Sequence, residues 1–163
     1  MRKDIESPLS LFYSMTEGTN NHLIQLLKSL QTKRAKLSGL GTDYTSGLHD
    51  DPALVRDIQQ TDNDINKISH ILKNTEVLPI RTDTSEIYVG NRVVVKFEDE
   101  DTEELFKVGT TTDASYPMNK FRWVSIESPL GRELLGKKKG DSVIYKINFV
   151  DKNVDILDVL SEE

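Results

Sequence analysis

The first half of the chain repeats apolar residues at alternating steps of four and three positions. The first series is Leu23, Leu27, Leu30, Arg34 and Leu37, and the second is Leu54, Ile58, Thr61, Ile65, Ile68 and Leu72. This spacing keeps one stripe of side chains facing a partner helix, as in a coiled coil. Because a short glycine-containing segment joins the two series, we predict an antiparallel helical hairpin. The alternative, two helices of an ordinary bundle, is disfavoured because no third helix of comparable length follows.

The signals for helix ends place the tip of this hairpin at about residues 39–51. The first helix is predicted to end near Ser38–Gly39, because glycine takes the positive φ of a helix C-terminus without strain. Asp51 is a favoured N-cap, and Pro52 suits the first helical position because its missing N–H would be unpaired there anyway. The second helix is therefore expected to begin at this pair and to run to about Asn74.

After the hairpin the pattern changes to short runs of β-branched and aromatic residues separated by turn residues. The runs are Ile87–Val89, Arg92–Phe97, Leu105–Val108, Trp123–Ile126, Val143–Phe149 and Val154–Leu160. They predict a small antiparallel sheet. One short helix is predicted beside it, with Ser128 as N-cap, Pro129 as its first residue and Gly136 at its end. The fold class is therefore α+β, an N-terminal antiparallel coiled-coil hairpin followed by an antiparallel β-sheet module with one short helix.

Composition narrows the classes of function. The chain has 163 residues, a net charge of −6 and no cysteine, which excludes disulfides, a zinc ribbon and a thiol nucleophile. No apolar run approaches the roughly 18 to 20 residues of a membrane span, and the N-terminus has no cleavage signature, so we expect a cytoplasmic protein without a membrane partner. Independent DNA binding is not expected either, because the phosphate backbone favours basic surfaces.

Four segments resemble the Gre family of bacterial transcript-cleavage factors, GreA and GreB. The most specific is SIESPLGRELLGKKKGD, Ser125–Asp141, and it is supported by Val89–Val93 at the first strand. Weaker support comes from Met15–Gly18 and from Leu72–Val77. The resemblance covers about residues 15 to 160. It implies a coiled-coil hairpin at residues 15–76 and an FKBP-like polymerase-docking module at 77–163, and residues 1–14 form an N-terminal arm that lies outside the resemblance.

The resemblance also implies a mechanism. In this family the FKBP-like module docks at the rim of the secondary channel of RNA polymerase, and the coiled coil enters the channel. Acidic residues at the tip help to hold the second Mg²⁺ and to position water, so that the polymerase cuts its own backtracked RNA. The partner implied is RNA polymerase, with only indirect action on the nascent RNA 3′ end. The chain is then not an enzyme in its own right, and it has no cofactor of its own, because the Mg²⁺ is shared in the polymerase active centre.

The predicted tip has acidic residues but departs from the family's Asp-x-x-Glu-Asn-type motif. Tyr44 and Gly47 stand near the corresponding positions, and neither binds a metal through a carboxylate. Asp51 is accounted for as an N-cap, which leaves Asp43 and Asp50 as the candidate catalytic and metal-binding residues. This departure leaves a second function open, a regulator of the same fold that occupies the channel without stimulating cleavage.

Candidate contact residues lie in both halves of the chain. On the first helix, a basic group near the tip is a candidate for contact with RNA or polymerase; it consists of Lys33, Arg34 and Lys36. Neutralisation by acidic residues of the second helix is the alternative. The residues that the resemblance implies for polymerase docking are Ser128, Pro129, Leu130, Gly131, Lys137 and Lys138. Each also has a structural interpretation, as part of a capped helix or as a charge that complements a helix C-terminus.

Two less favoured functions follow from the same pattern. One is a prolyl isomerase, which needs an apolar, aromatic-lined pocket. The aromatic residues that supply either such a pocket or the core are Phe97, Phe106, Tyr116, Phe121, Trp123, Tyr145 and Phe149. The other is a coiled-coil adaptor for a different partner. The acidic run from Phe97 to Phe106 is predicted to be a solvated turn between strands, because it lacks the spaced Asp/Asn pattern with glycine of a calcium loop.

Overall fold

The computed structural model describes residues 14–42, 51–99, 102–118 and 121–161. The chain divides into two compact units, of which Asn20–Thr75 forms one and the residues on either side of it form the other. In chain order the elements are β1 (Ser14–Thr16), α1 (Glu17–Thr42), α2 (Pro52–Asn74), β2 (Glu76–Leu78), β3 (Arg92–Phe97), β4 (Thr102–Gly109), α3 (Thr111–Ser115), β5 (Arg122–Ser125), α4 (Pro129–Leu134), β6 (Ser142–Ile147) and β7 (Val150–Leu160). This is the predicted α+β class, with two long helices before a β-sheet. None of the helices within the described ranges is long and apolar enough to cross a membrane.

The burial of α1 and α2 follows the predicted four-three pattern. The buried residues of α2 are Leu54, Thr61 and Ile68, which lie seven positions apart, and Leu23 on α1 is fully buried. The other predicted positions are partly buried, whereas most residues between them are exposed. A seven-residue interval on one helix face is the repeat of a coiled-coil seam, so the predicted seam is confirmed.

One polar residue of the seam links the two helices. Nε of Arg34 donates to Oδ1 of Asp62 over 2.6 Å, and the guanidinium also donates to Oγ of Ser38. Arg34 precedes the end of α1 at Thr42, and Asp62 follows the start of α2 at Pro52, by about 12 and 15 Å respectively at 1.5 Å per residue. Because the two residues lie at similar distances from the facing helix ends, the helices are antiparallel.

The helix ends agree with prediction for α2 and differ for α1. Asp51 caps α2, because its Oδ1 accepts from the backbone N–H of Ala53 over 2.9 Å, and Pro52 is the first helical residue. The prediction that α1 ends near Ser38–Gly39 is wrong, since α1 continues to Thr42. Glycine permits a helix to end but does not force it, because helical dihedral angles are as accessible to it as the positive φ of a cap.

The five strands β3 to β7 form one sheet in the order β5–β4–β3–β7–β6. The pairs β3–β4, β3–β7 and β6–β7 are antiparallel, as predicted. The pair β4–β5 is parallel, so the sheet is mixed and the prediction of a wholly antiparallel sheet is wrong at this edge. Two neighbouring parallel strands need a connection that brings the chain back to the end of the sheet at which the first strand began. Here the connection between β4 and β5 contains α3.

The segment Ile87–Val89 is part of the core but not a strand, which corrects the strand prediction there. Ile87 and Val89 are 0% and 3% exposed. The N–H of Ile87 donates to the carbonyl of Lys137 over 2.7 Å, and the N–H of Gly136 donates to the carbonyl of Ile87 over 2.8 Å. The segment therefore pairs with the loop after α4, and its apolar sequence reflects burial rather than a place in the sheet.

The short helix α3 was not predicted, so the described residues of the module include a second short helix beside α4. Its sequence signal is a capping box. Thr110 is the N-cap, its side chain accepts from the N–H of Asp113, and the Asp113 side chain accepts from the N–H of Thr110. A threonine followed three positions later by an acidic residue is the pattern that would have indicated this helix.

A buried carboxylate holds β1 in the unit that contains the sheet. Asp113 is fully buried, and its Oδ1 accepts from the backbone N–H and the hydroxyl of Thr16 over 2.9 and 3.0 Å. Its Oδ2 accepts from the N–H of Thr110 over 2.8 Å, and the Thr110 hydroxyl donates to the carbonyl of Ser14 over 2.7 Å. The bonds between Asp113 and Thr16 join positions that are 97 residues apart in sequence. Together these bonds fix β1, which pairs in parallel with β2.

Replacing Asp113 with asparagine is expected to lower the free energy of unfolding by about 2–4 kcal/mol. Whichever way the amide is turned, its NH₂ group faces a buried N–H donor, which is then left without an acceptor. Chemical denaturation followed by circular dichroism measures the change. Asp151→Asn is the control, because the ion pair of Asp151 with Lys146 is exposed and its loss is expected to change stability by less than about 0.5 kcal/mol. Equal effects of the two substitutions would contradict the prediction.

Candidate functional site

The segment for which the resemblance implied docking forms α4 and its flanking turns. Oγ of Ser128 accepts from the N–H of Gly131 over 3.0 Å and donates to the carbonyl of Ser125 over 2.7 Å. Pro129 is the first helical residue, and Gly136 after the helix has a φ of +77°. The predicted N-cap, first residue and end of this helix are therefore confirmed.

The position of α4 depends on a close backbone contact at Gly131. A Cβ atom at this residue would lie 1.9 Å from the carbonyl oxygen of Ser125 and 3.0 Å from Cα of Ile126. Any larger residue would push the helix away from the end of β5. Gly131 is therefore buried on the face of α4 that meets the end of β5. Its lack of a side chain determines how closely the first turn of α4 packs against the sheet.

A groove of about 430 Å³ lies beside the first turn of α4. Three of the residues implied for docking line it, namely Ser128, Pro129 and Leu130. Two aromatic residues line its apolar part, Phe97 and Phe106, whose rings meet edge to face with centroids 6.2 Å apart. Further walls come from β5, β6 and β7. The groove is therefore lined by residues from all five strands of the sheet and from the start of α4.

Charged side chains border this groove. Nη1 of Arg122 donates to Oε2 of Glu104 over 2.5 Å, and the guanidinium lies 5.3 Å from the centroid of the Phe106 ring. Nζ of Lys152 donates to Oδ2 of Asp99 over 2.9 Å. Arg122 is 69% exposed, and an exposed ion pair contributes little to stability. Such charges are available to a protein partner.

The lysines after α4 lie outside the groove. Nζ of Lys138 is 3.6 Å from a carboxylate oxygen of Glu86, and Nζ of Lys139 is 3.0 Å from one of Asp158. The hydrogen bond from Lys139 is the main reason that the pKa of Asp158 lies below its ordinary value. Lys137 is exposed beside them. Part of this basic run is therefore neutralised by acidic residues of neighbouring segments.

The basic residues of α1 occupy two different environments. Lys33 and Lys36 are exposed, whereas Arg34 is partly buried in the seam and paired with Asp62. The neutralisation considered from the sequence is therefore present at Arg34. The two lysines remain exposed candidates for contact with a polyanion or with polymerase.

The candidate catalytic and metal-binding acids, Asp43 and Asp50, lie outside the described residues. Asp51, which does lie within them, is the N-cap of α2. Within the described ranges no three or more histidine, aspartate or glutamate side chains come together in a way that holds a metal ion.

Several members of the groove were not identified from the sequence. Arg122, Ile147 and Lys152 come from three different strands, and only the pairing register brings them together. Phe149 is predicted from the sequence to line a pocket or to belong to the core. The structure corrects this prediction, because Phe149 is 98% exposed.

Comparison with known proteins adds an independent finding. A family model described as "Transcription elongation factor, GreA/GreB, C-term" matches residues 82–161. Transcription elongation factor GreA of Chloroflexus aurantiacus is 30% identical over 117 residues, which cover 71% of each chain. GreA of Thermotoga petrophila is 37% identical over 82 residues, and this chain spans about half of that relative's length, 51%.

Solved structures of similar proteins cover most of the chain at low identity. Gfh1 of Thermus aquaticus is 18% identical with a TM-score of 0.41, and the match covers 93% of this chain and 99% of that one. A GreA/GreB elongation factor from Nitrosomonas europaea is 15% identical with a TM-score of 0.39, covering 91% and 98% of the two chains.

Replacing Gly131 with alanine is expected to lower the free energy of unfolding by about 3 kcal/mol, because the added Cβ overlaps the Ser125 carbonyl. Thermal and chemical denaturation measure the loss. Gly39→Ala is the matched control, since Gly39 lies in α1 and a Cβ added there would meet no neighbouring atom within 4 Å. It is expected to stabilise the protein by about 0.5–1 kcal/mol. The same sign for both substitutions would contradict the close contact at α4.

Proposed function

Because the chain belongs to the GreA/GreB family of transcription elongation factors, we propose that it binds RNA polymerase at the secondary channel and stimulates cleavage of backtracked RNA. It acts as an accessory factor in the cytoplasm, without catalytic activity of its own. The chemistry belongs to the polymerase, whose Mg²⁺ ions activate water and stabilise the leaving oxygen.

The observation that carries this proposal is the groove beside α4. It lies in the part of the chain that the family model matches, and its wall includes Ser128, Pro129 and Leu130 of the segment that resembles the family. An apolar centre with a charged border is the usual anatomy of a protein–protein interface. The groove is therefore our proposed docking surface for RNA polymerase.

The dimensions of the hairpin support insertion into a channel. α1 has 26 residues and α2 has 23, which at 1.5 Å per residue gives about 39 and 35 Å. A rod of two helices is narrower than a globular domain and therefore suits a narrow opening. We assign Asp43 and Asp50, in the segment between the helices, to the shared Mg²⁺, because a carboxylate oxygen is a hard ligand that suits a hard cation.

A second candidate function is occupation of the channel without stimulation of cleavage. The observation that favours it is the sequence between the helices, in which Tyr44 and Gly47 stand near the acidic positions of the family motif. Both candidates use the same docking groove and the same partner. They differ only in what the tip does to the RNA.

Replacing Arg122 with alanine is expected to weaken binding to core RNA polymerase by about tenfold, since arginine at a desolvated interface contributes strongly. The melting temperature should change little, because the Arg122 side chain is 69% exposed and an ion pair made by an exposed side chain contributes little to stability. Biolayer interferometry at two salt concentrations measures the affinity. Lys146→Ala is the control, because Lys146 is as exposed as Arg122 and also forms an ion pair, with Asp151, but does not line the groove. Equal affinities for the two variants would contradict the docking surface.

The double substitution Asp43→Asn and Asp50→Asn is expected to reduce stimulated transcript cleavage at least about tenfold, corresponding to a loss of about 1.4 kcal/mol in the transition state. Binding to polymerase should be unchanged, because the docking groove is intact. Cleavage by backtracked elongation complexes, with and without the protein, gives the rates. Binding by the unmodified protein without any acceleration of cleavage would replace the leading proposal with the second candidate.

A further inference from the structure

The turn between β6 and β7 holds a residue that its backbone does not favour. Ile147 pairs with Val150, so Asn148 and Phe149 form a two-residue hairpin turn. Their φ angles are +49° and +65°, the pattern of a type I′ turn, in which asparagine followed by glycine is preferred. Asn148 meets this preference. Phe149 does not, because a bulky side chain is strained at positive φ.

The side chain of Phe149 is not buried on folding, so no gain from burial offsets the strain of its backbone. It is 98% exposed, so the ring keeps nearly all of its contact with water. Phenylalanine is ordinarily a residue that stabilises a protein by burial. Both the backbone strain and the hydrated ring therefore disfavour this residue in the isolated protein, and residues held in this way are concentrated at functional sites.

Phe149 belongs to a cluster of exposed apolar residues. Ten large apolar side chains are exposed in the described part of the chain, and four of them fall between positions 144 and 150. These four are Ile144, Ile147, Phe149 and Val150, which are 62%, 44%, 98% and 55% exposed. Among the described residues, this hairpin therefore carries the largest group of exposed apolar side chains that are close in sequence.

The pairing register places part of this cluster on the groove side of the sheet. Tyr145 and Ile147 lie two positions apart on β6 and hence on the same face, and both line the groove. Val150 is the partner of Ile147, so it shares that face. Ile144 lies on the opposite face. A partner seated in the groove thus meets a continuous apolar path from Tyr145 to the turn.

We propose that Phe149 is an apolar anchor for RNA polymerase, which extends the docking groove and inserts into an apolar pocket on the polymerase surface. This inference rests on the proposed function, because it gives the same partner a second contact. Its basis is the continuity of the turn with the groove. Aromatic side chains in desolvated pockets supply much of the energy of protein interfaces, and a tight turn fixes the backbone that carries the ring, so little backbone entropy is lost on binding.

A second copy of the chain fits this hairpin less well. β6 is an edge strand of the sheet, and an exposed edge is where another strand would pair. Lys146 lies within this edge and is exposed, and charged lysines on edge strands oppose such pairing. The net charge of −6 also opposes self-association.

Substitution of Phe149 by glycine separates the anchor from a structural role. Glycine removes the strain, so the melting temperature is expected to rise by about 2–4 °C. Loss of the ring is expected to weaken binding of the full chain to core RNA polymerase at least about tenfold. Phe149→Leu keeps an apolar side chain and should retain most of the affinity. Ile144→Ser, on the opposite face of the same strand, is the matched control and should bind as the unmodified protein does.

The possible results distinguish a failure of the proposed function from a failure of the Phe149 anchor alone. If the unmodified chain fails to bind polymerase, the proposed function is wrong and the anchor with it. If the unmodified chain and Phe149→Gly bind equally, only the anchor is wrong. The anchor is also overturned if Ile144→Ser weakens binding as much as Phe149→Gly does. Sedimentation velocity tests the remaining outcome. If the unmodified chain forms a dimer and Phe149→Gly does not, a second copy of the chain is the occupant and the anchor for polymerase is overturned.

Discussion

The buried carboxylate of Asp113 is the interaction on which the order of the β module depends. It binds Thr16 on one side and Thr110 on the other, and so joins the N-terminal strand to a helix 97 residues later. The same carboxylate closes the capping box of α3. Because α3 lies in the connection that turns the chain back, it is also part of the reason that β5 runs parallel to β4. A desolvated acceptor with several donors is costly to lose, which makes this the point where distant parts of the sequence constrain each other.

This arrangement also determines where the groove lies, because it positions the end of β5, against which α4 packs. The carbonyl of Ser125 accepts a hydrogen bond from Ser128 and lies so close to Gly131 that no side chain fits between them. The start of α4 is therefore fixed against the strand that α3 has positioned. Arg122 lies at the other end of β5 and borders the groove. The proposed docking surface is thus assembled by backbone contacts, and its charged border is added by side chains that contribute little to folding.

The sequence predicted those features that depend on neighbouring residues. The coiled-coil seam and the caps at Asp51 and Ser128 are local patterns, and the structure has them where the spacing placed them. Features that depend on distant pairing were missed or wrong. The parallel pair β4–β5 needs the path of the connection to be known, and Ile87–Val89 has the composition of a strand but pairs with a loop. Membership of the groove depends on the register between strands, which no local pattern contains. The exposure of Phe149 could not be read from its residue type, because aromatic residues are usually buried.

Two residues depart from the preference of their local structure, and the difference between them is informative. Arg34 places a charge in an apolar seam, but Asp62 and Ser38 supply partners within the hairpin. A paired polar residue in a coiled-coil seam sets the register and orientation of the helices, so the departure has a structural explanation. Phe149 places a strained, hydrated ring at a turn, and 98% of that residue's surface stays in contact with water. The departure at Arg34 is compensated inside the hairpin and serves the fold, whereas the exposure of Phe149 leaves the strain of its backbone without a gain from burial. The β6–β7 turn, rather than the seam, is therefore where we propose recognition of a partner.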